Sequence, residues 1–169
     1  KDIDFTRFDF PPIENNNICL KDILLPDSET QDLVIKRNDI NIYKTDDNPN
    51  LFNLTNNKPI RIGTVNKGGQ GERIYSINGH AITLSAYGGG VGAKTGLYLV
   101  NGKVRRLSPR ECARLNGFPD SFIINENKNQ AYKQFGNGVV IDVIQKILIQ
   151  LAKILWKITK INLIFFLTS

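Results

Sequence analysis

The sequence predicts an α+β chain, and three observations predict it. Residues 59–107 break into short apolar runs separated by turn signals, the pattern of small β-strands. Ser108-Pro109-Arg110-Glu111 has the residue types that open a helix. From Asn137 onward, apolar side chains recur at helical spacing.

In chain order, residues 1–57 are polar and rich in Asn and Asp. They suggest a short helix near 20–25, a strand or two around Leu33-Val34-Ile35, and a loose loop over Asp46–Asn57. Strands follow at Ile60–Val65, Arg73–Tyr75, Ala81–Leu84 and Leu97–Val100. Asn78-Gly79 and Asn101-Gly102 mark turns between them, the second a strong hairpin signal. Ser108 is placed to cap the next helix, with Pro109 in its first turn and Glu111 reaching back; the helix should stop at Asn116-Gly117, ahead of Pro119. A last helix is expected from about Asn137, as its cap, to Leu151. Its apolar face (Val140, Ile144, Ile147, Leu148, Leu151) is wide enough to require a partner surface. The stretch 152–169 is either a further helix or sequence read after a frame change. It is too short and too interrupted by lysine for a membrane span, so no membrane partner is expected.

Composition narrows the chemistry. With 41% hydrophobic and 22% charged residues the chain reads as globular. A lone histidine, His80, removes most zinc sites and most Ser-His-Asp schemes, and no metal site is expected. Cys19 and Cys112 are far apart and read as structural residues of a reduced, intracellular protein. The chain has no methionine and begins at Lys1, so it is expected to be cut from a longer polypeptide.

Charge is unevenly placed. Residues 1–57 carry 6 basic and 11 acidic side chains, whereas residues 58–118 carry 10 basic and 2 acidic. That concentration coincides with two glycine-rich segments and is the footprint of a face that binds a polyanion. In Lys67-Gly-Gly-Gln-Gly-Glu-Arg-Ile-Tyr75, Gln70 and Arg73 are residue types that make paired hydrogen bonds to base edges, and the glycines let backbone approach a ligand. Gly88-Gly-Gly-Val-Gly-Ala-Lys94-Thr95 looks like a phosphate-cradling loop. It lacks the glycine before lysine and leads into a strand-like run, so a nucleotide-binding P-loop is rejected in favour of a loop that lets DNA approach.

Four segments, in order, carry a resemblance: Gly68–Tyr75, Ala81–Gly90, Arg106–Phe122 and Gln130–Val140. Together they resemble the C-terminal part of bacterial DNA (cytosine-5) methyltransferases. The third and fourth look like the family's motifs IX and X, and the first two like the recognition segments of a subgroup that reads GCGC. The resemblance implies a small β-rich target-recognition domain with a motif IX helix (58–127), entered by a connecting segment (1–57). A motif X helix (128–151) would belong with a Rossmann-like catalytic domain, and a tail (152–169) would follow. It also implies double-stranded DNA and the catalytic half or subunit as partners, S-adenosylmethionine as cofactor, and a bacterial cytoplasmic, nucleoid-associated setting.

By that resemblance Gln70 would fill the gap left by a flipped cytosine, and Arg73 would read a guanine. Tyr87, Gly88, Gly89 and Gly90 would line the recognition groove, Thr83 would touch a phosphate, and Lys67 and Arg105 would add charge. Asn137 and Gly138 would reach the cofactor; many relatives have serine where Gly138 stands. The family's catalytic Pro-Cys dipeptide, Glu-Asn-Val motif and Phe-x-Gly-x-Gly loop are not found in this sequence. No catalytic residue is therefore assigned to this chain. It is expected to be a subunit of a split enzyme, the product of an interrupted gene or an excised fragment, and inactive alone. The alternative is a DNA-binding remnant without enzymatic role.

Overall fold

A computed structural model describes residues 8–12, 18–43 and 58–167, with side chains described up to Trp156. The loop expected over Asp46–Asn57 lies outside the described residues. Contacts divide the chain into two compact units, Asn15–Gly138 and a second made of Lys1–Glu14 with Val139–Ser169.

The first unit is built on a five-stranded mixed sheet: β1 (Asn41–Ile42), β2 (Arg61–Thr64), β3 (Arg73–Ser76), β4 (Leu97–Val100) and β5 (Lys103–Arg105). The strands lie side by side in sequence order. All neighbours are antiparallel except β3 and β4, which run parallel with Ile74 opposite Leu97. The β2–β3 register slips between Arg61 and Gly63, a bulge at which Gly63 leaves room for the Asn41 carbonyl. Asn101 (φ 48°) and Gly102 (φ 77°) form the tight turn of the β4–β5 hairpin.

A parallel pair cannot be joined by a tight turn, so the chain must travel back along the sheet between Ser76 and Leu97. The expected strand at Ala81–Leu84 is absent because those residues belong to this return. They pack as irregular chain, with the Ile82 N–H donating to the buried Tyr98 hydroxyl at 3.1 Å. The expected helix near 20–25 is a single 3-10 turn, Leu20–Ile23. Around Leu33 the chain makes another short turn, and Val34 forms one isolated bridge to Arg105.

Helix α1 (Pro109–Leu115) starts as the sequence dictates. The Ser108 hydroxyl accepts from the Glu111 N–H at 3.1 Å, and the Glu111 carboxylate accepts from the Ser108 N–H at 2.7 Å. It ends at Asn116-Gly117, where Gly117 takes φ 83°. Helix α2 (Lys128–Asn137) is capped by the Asn127 side chain. It buries Ala131, Tyr132 and Phe135 against Leu107, Cys112 and Ala113, and the Asn116 amide closes its far end on the Phe135 carbonyl. A second cluster (Ile60, Ile62, Val65, Ile74, Leu97, Val104) fills the other part of the core.

The helix expected from Asn137 to Leu151 begins only at Ile141, and the segment 128–151, expected as one motif X helix, holds the whole of α2 and the start of a separate helix. Asn137 ends α2 rather than capping a new one, Gly138 is extended (ψ 165°), and α3 (Ile141–Leu167) begins where the Ile144 N–H bonds the Val140 carbonyl. Two glycines and two β-branched valines within residues 136–140 oppose helix continuation, which accounts for the break. The tail is helix through Leu167. In the second unit Val143, Ile144, Leu148 and Ile149 are exposed. No helix among the described residues is long and apolar enough to cross a membrane.

Candidate nucleic-acid interface

The parallel pairing of β3 and β4 positions the candidate site. Because both strands start at one end of the sheet, the loop entering β3 (66–72) and the loop entering β4 (88–96) meet there. They touch backbone to backbone. The Gly92 N–H donates to the Gly71 carbonyl at 2.7 Å, and a Cβ on Gly71 would sit 2.2 Å from the Gly89 carbonyl oxygen. Gly71 (φ 78°) and Gly90 (φ 86°) both need the left-handed region. The C-terminal end of α2 closes the third side, with Gly136 so tight that a Cβ there would lie 2.3 Å from the Ala86 nitrogen.

Between these three walls lies a cleft of about 590 Å³ lined by Gln70, Tyr87, Gly88, Gly89 and Asn137, with Leu84, Ser85, Ala86 and Gly136. Five of the residues singled out in the sequence therefore converge. Lys67, Arg73 and Thr83 are exposed but do not line the cleft. Gly90 lies just behind it, 3.2 Å from the Gln70 carbonyl by its ideal Cβ. Gly138 forms the cap of α2, its N–H spent on the Phe135 carbonyl at 3.2 Å.

Arg105 corrects the reading of the sequence. It does not add charge to the surface: it is 1% exposed and pairs with the fully buried Glu111 through bonds of 3.0 and 2.8 Å. Val104 and Arg105 point to opposite faces of β5 and both are buried, so both faces of the strand are covered there. The phosphate-loop reading fails as expected, since Lys94 takes φ 74°, gives its ammonium to Asn129 at 3.0 Å, and is followed by a strand.

Three contributors escaped the sequence reading. Lys133 on α2 stands 5.0 Å above the Tyr87 ring, whose residue is 75% exposed. Gly136 is silent in sequence because only packing reveals why a helix holds it. Glu72 was legible in principle, being one of only two acids among residues 58–118. Its carboxylate accepts from the Gly69 N–H at 2.9 Å and the Asn66 amide at 2.7 Å. Those bonds, Asn66 first, hold Glu72 below the usual carboxylate range. Asp39 accepts from the Asn66 N–H at 3.0 Å, and its partner Arg37 draws its carboxyl down to about 2.

A carboxyl whose pKa is depressed in the folded chain contributes fully above its ordinary value and loses that contribution as pH falls through the folded value. The 66–72 loop is therefore expected to keep its amide protection at pH 5 and lose it only as pH falls from 4.5 toward 2. Hydrogen exchange at Gly69 across that range checks this; loosening already at pH 6 would contradict it.

Both cysteines are buried, and burial pushes the Cys112 thiol far up, so it stays neutral and is not a nucleophile. Asp120 is held in a two-bond pair by Arg114 at 2.8 and 2.7 Å. No cluster of three metal-ligating side chains occurs among the described residues.

A family model, described as C-5 cytosine-specific DNA methylase, matches residues 5–153. The chain belongs to that family. It is 55% identical over 146 residues to the type II methyltransferase M.HhaI of Haemophilus parahaemolyticus, a match covering 86% of this chain and 43% of that protein. A shorter match, 56% over 48 residues, links it to the type II methyltransferase M.BanI of Aneurinibacillus aneurinilyticus, covering 28% of this chain and 11% of M.BanI. The chain thus spans less than half the length of these relatives.

Among solved structures, the S. pombe Dnmt2 methyltransferase matches with a TM-score of 0.52 at 16% identity, over 82% of this chain and 42% of that one. The Entamoeba histolytica methyltransferase EhMeth matches at 0.50 and 15%, over 89% and 44%. At these identities the likeness is one of fold. Cytosine-5 methylases as a family depend on S-adenosylmethionine.

Proposed function

We propose that this chain is the C-terminal, target-recognising part of a cytosine-5 DNA methyltransferase of restriction-modification type. It would act with a catalytic half to methylate C5 of cytosine in a GCGC-like site. The observation that carries this is the meeting of the two glycine loops around Gln70, Tyr87 and Asn137. Glycine backbones let a duplex come close, while an exposed glutamine and arginine offer the paired bonds that specify bases.

A stacked cytosine must leave the duplex to be modified. Gln70, at the tip of its loop and exposed, enters the vacated space and bonds the orphan guanine. Arg73, exposed at the start of β3, donates to guanine O6 and N7. Tyr87 and Gly88–Gly90 form the groove wall, and Lys67 and Thr83 hold phosphates.

The cofactor fits this chain only at its edge. The Asn137 amide is exposed in the cleft, whereas Gly138 has spent its N–H and offers only a carbonyl. S-adenosylmethionine, held mainly by the catalytic half, supplies the methyl group. The attacking thiolate also belongs to that half. The exposed apolar residues of α3, Val143, Ile144, Leu148 and Ile149, support docking onto such a domain.

The test mixes this chain with an N-terminal half carrying the catalytic motifs and scores labelled methyl incorporation into GCGC-containing DNA. Incorporation is expected only in the mixture. Incorporation by the chain alone overturns the division of labour, and none by a competent mixture favours a non-enzymatic DNA-binding remnant. In the same mixture Arg73→Ala is expected to lose about 1–3 kcal/mol of discrimination at one guanine; unchanged specificity would remove Arg73 from base reading.

A further inference from the structure

Residues 58–118 hold ten basic side chains and two acids, Glu72 and Glu111. Glu111 is buried and spent on the Ser108 and Leu25 N–H groups and on Arg105. Glu72 is different: it stands at the DNA-facing loop beside Arg73, where a negative charge works against phosphate binding. Its geometry explains its presence.

The loop contains Gly68, Gly69 and Gly71, which are costly to order. Its backbone closes through Val65 N–H to the Glu72 carbonyl (2.8 Å), Gly68 N–H to Val65 (3.0 Å) and Glu72 N–H to Gly69 (3.1 Å). The Glu72 carboxylate adds the Gly69 N–H and the Asn66 amide, one on each oxygen. Asn66 sits at φ 48° and is held from the other side by Asp39, which Arg37 grips with bonds of 2.7 and 2.6 Å. A chain of polar contacts thus runs from Arg37, ahead of β1, to the residue just before Gln70.

We propose that Glu72 is the positioning residue of this loop: backed by the Arg37–Asp39 pair, its carboxylate fixes the backbone so that Gln70 and Arg73 are presented together, and it does not itself read a base. The inference rests on the base-reading function proposed above. Each carboxylate oxygen already holds one loop bond, to Asn66 or to Gly69, so the carboxylate is oriented by the loop, and turning it toward a cytosine amino group would break those bonds. The glutamine variant keeps an acceptor for the Gly69 N–H, whereas alanine keeps none.

The test uses the full chain as wild type, Glu72→Ala and Glu72→Gln. Amide hydrogen exchange is read at Gly69, whose N–H the carboxylate holds, without DNA and with Ile74 in β3 as the internal reference. Binding is read on two short duplexes, one containing GCGC and one with its outer base pairs exchanged. In Glu72→Ala, Gly69 is expected to exchange about ten-fold faster while Ile74 is unchanged. The preference for GCGC should fall about ten-fold, with binding to the altered duplex equal or tighter because a negative charge is gone. Glu72→Gln should restore most of both.

Unchanged exchange in Glu72→Ala overturns the proposal, as does loosened exchange with preference intact. If Glu72→Gln loses preference while its loop stays protected, Glu72 is a base reader and the proposal is wrong. A wild-type chain without preference between the duplexes would refute the base-reading function, while the exchange data alone would still decide whether Glu72 holds the loop.

Discussion

Replacing Glu111 by alanine is expected to cost about 3–5 kcal/mol of stability, the scale for removing one partner of a buried ion pair. Glu111 is fully buried and Arg105 is 1% exposed. One carboxylate there accepts from both Arg105 amino groups, from the Ser108 N–H that begins α1, and from the Leu25 N–H across the unit at 2.8 Å. Its removal strands a guanidinium whose Nε already finds no acceptor among the described residues. It also unpins α1 from the segment after the Leu20–Ile23 turn. Urea unfolding of the variant measures the loss, and a cost below about 1 kcal/mol would show that the pair relaxes into water. Removing both charges, as Arg105→Met with Glu111→Leu, should cost less than Glu111→Ala alone, because no buried charge is then left unpaired.

Gly71→Ala is expected to separate the two glycine loops. The new Cβ would lie 2.2 Å from the Gly89 carbonyl oxygen, at a φ of 78° that alanine rarely adopts. Strain of about 1–3 kcal/mol from the backbone adds to a comparable overpacking cost, and the loops relieve it by moving apart. Discrimination between GCGC and an altered site should then fall ten-fold or more, since Gln70 and Tyr87 no longer share one cleft. Gly89→Ala is the control for folding. Nothing lies within 4 Å of its Cβ, so its stability should stay within about 0.5 kcal/mol of wild type. Equal stability of the two variants would refute the crowded crossing.

Local chemistry was legible wherever a few adjacent residues decide the outcome. Ser108, Pro109 and Glu111 announce α1, and Asn101-Gly102 announces its hairpin, because caps and tight turns are satisfied within four residues. Ala81–Leu84 looked like a strand because its alternation is strand-like, yet a strand needs a neighbour and the return path from β3 to β4 offers none. Arg105 looked like a DNA-facing cation because a sequence shows charge but not burial, and its partner Glu111 is hidden on the following helix. The helix break at Gly138–Val140 was weakly signalled. Apolar periodicity continues across it, while backbone preference and the Asn116 bond to Phe135 end α2 there.

The sequence by itself determined the family likeness, the strand-rich middle, the cap of α1 and the candidate side chains, since each is written in residue type and short spacing. Only the tertiary structure decided that Gln70 and Tyr87 belong to one cleft. The parallel pairing of Ile74 with Leu97 sets the starts of β3 and β4 side by side, and contact between loops some twenty residues apart depends on that register rather than on any local preference.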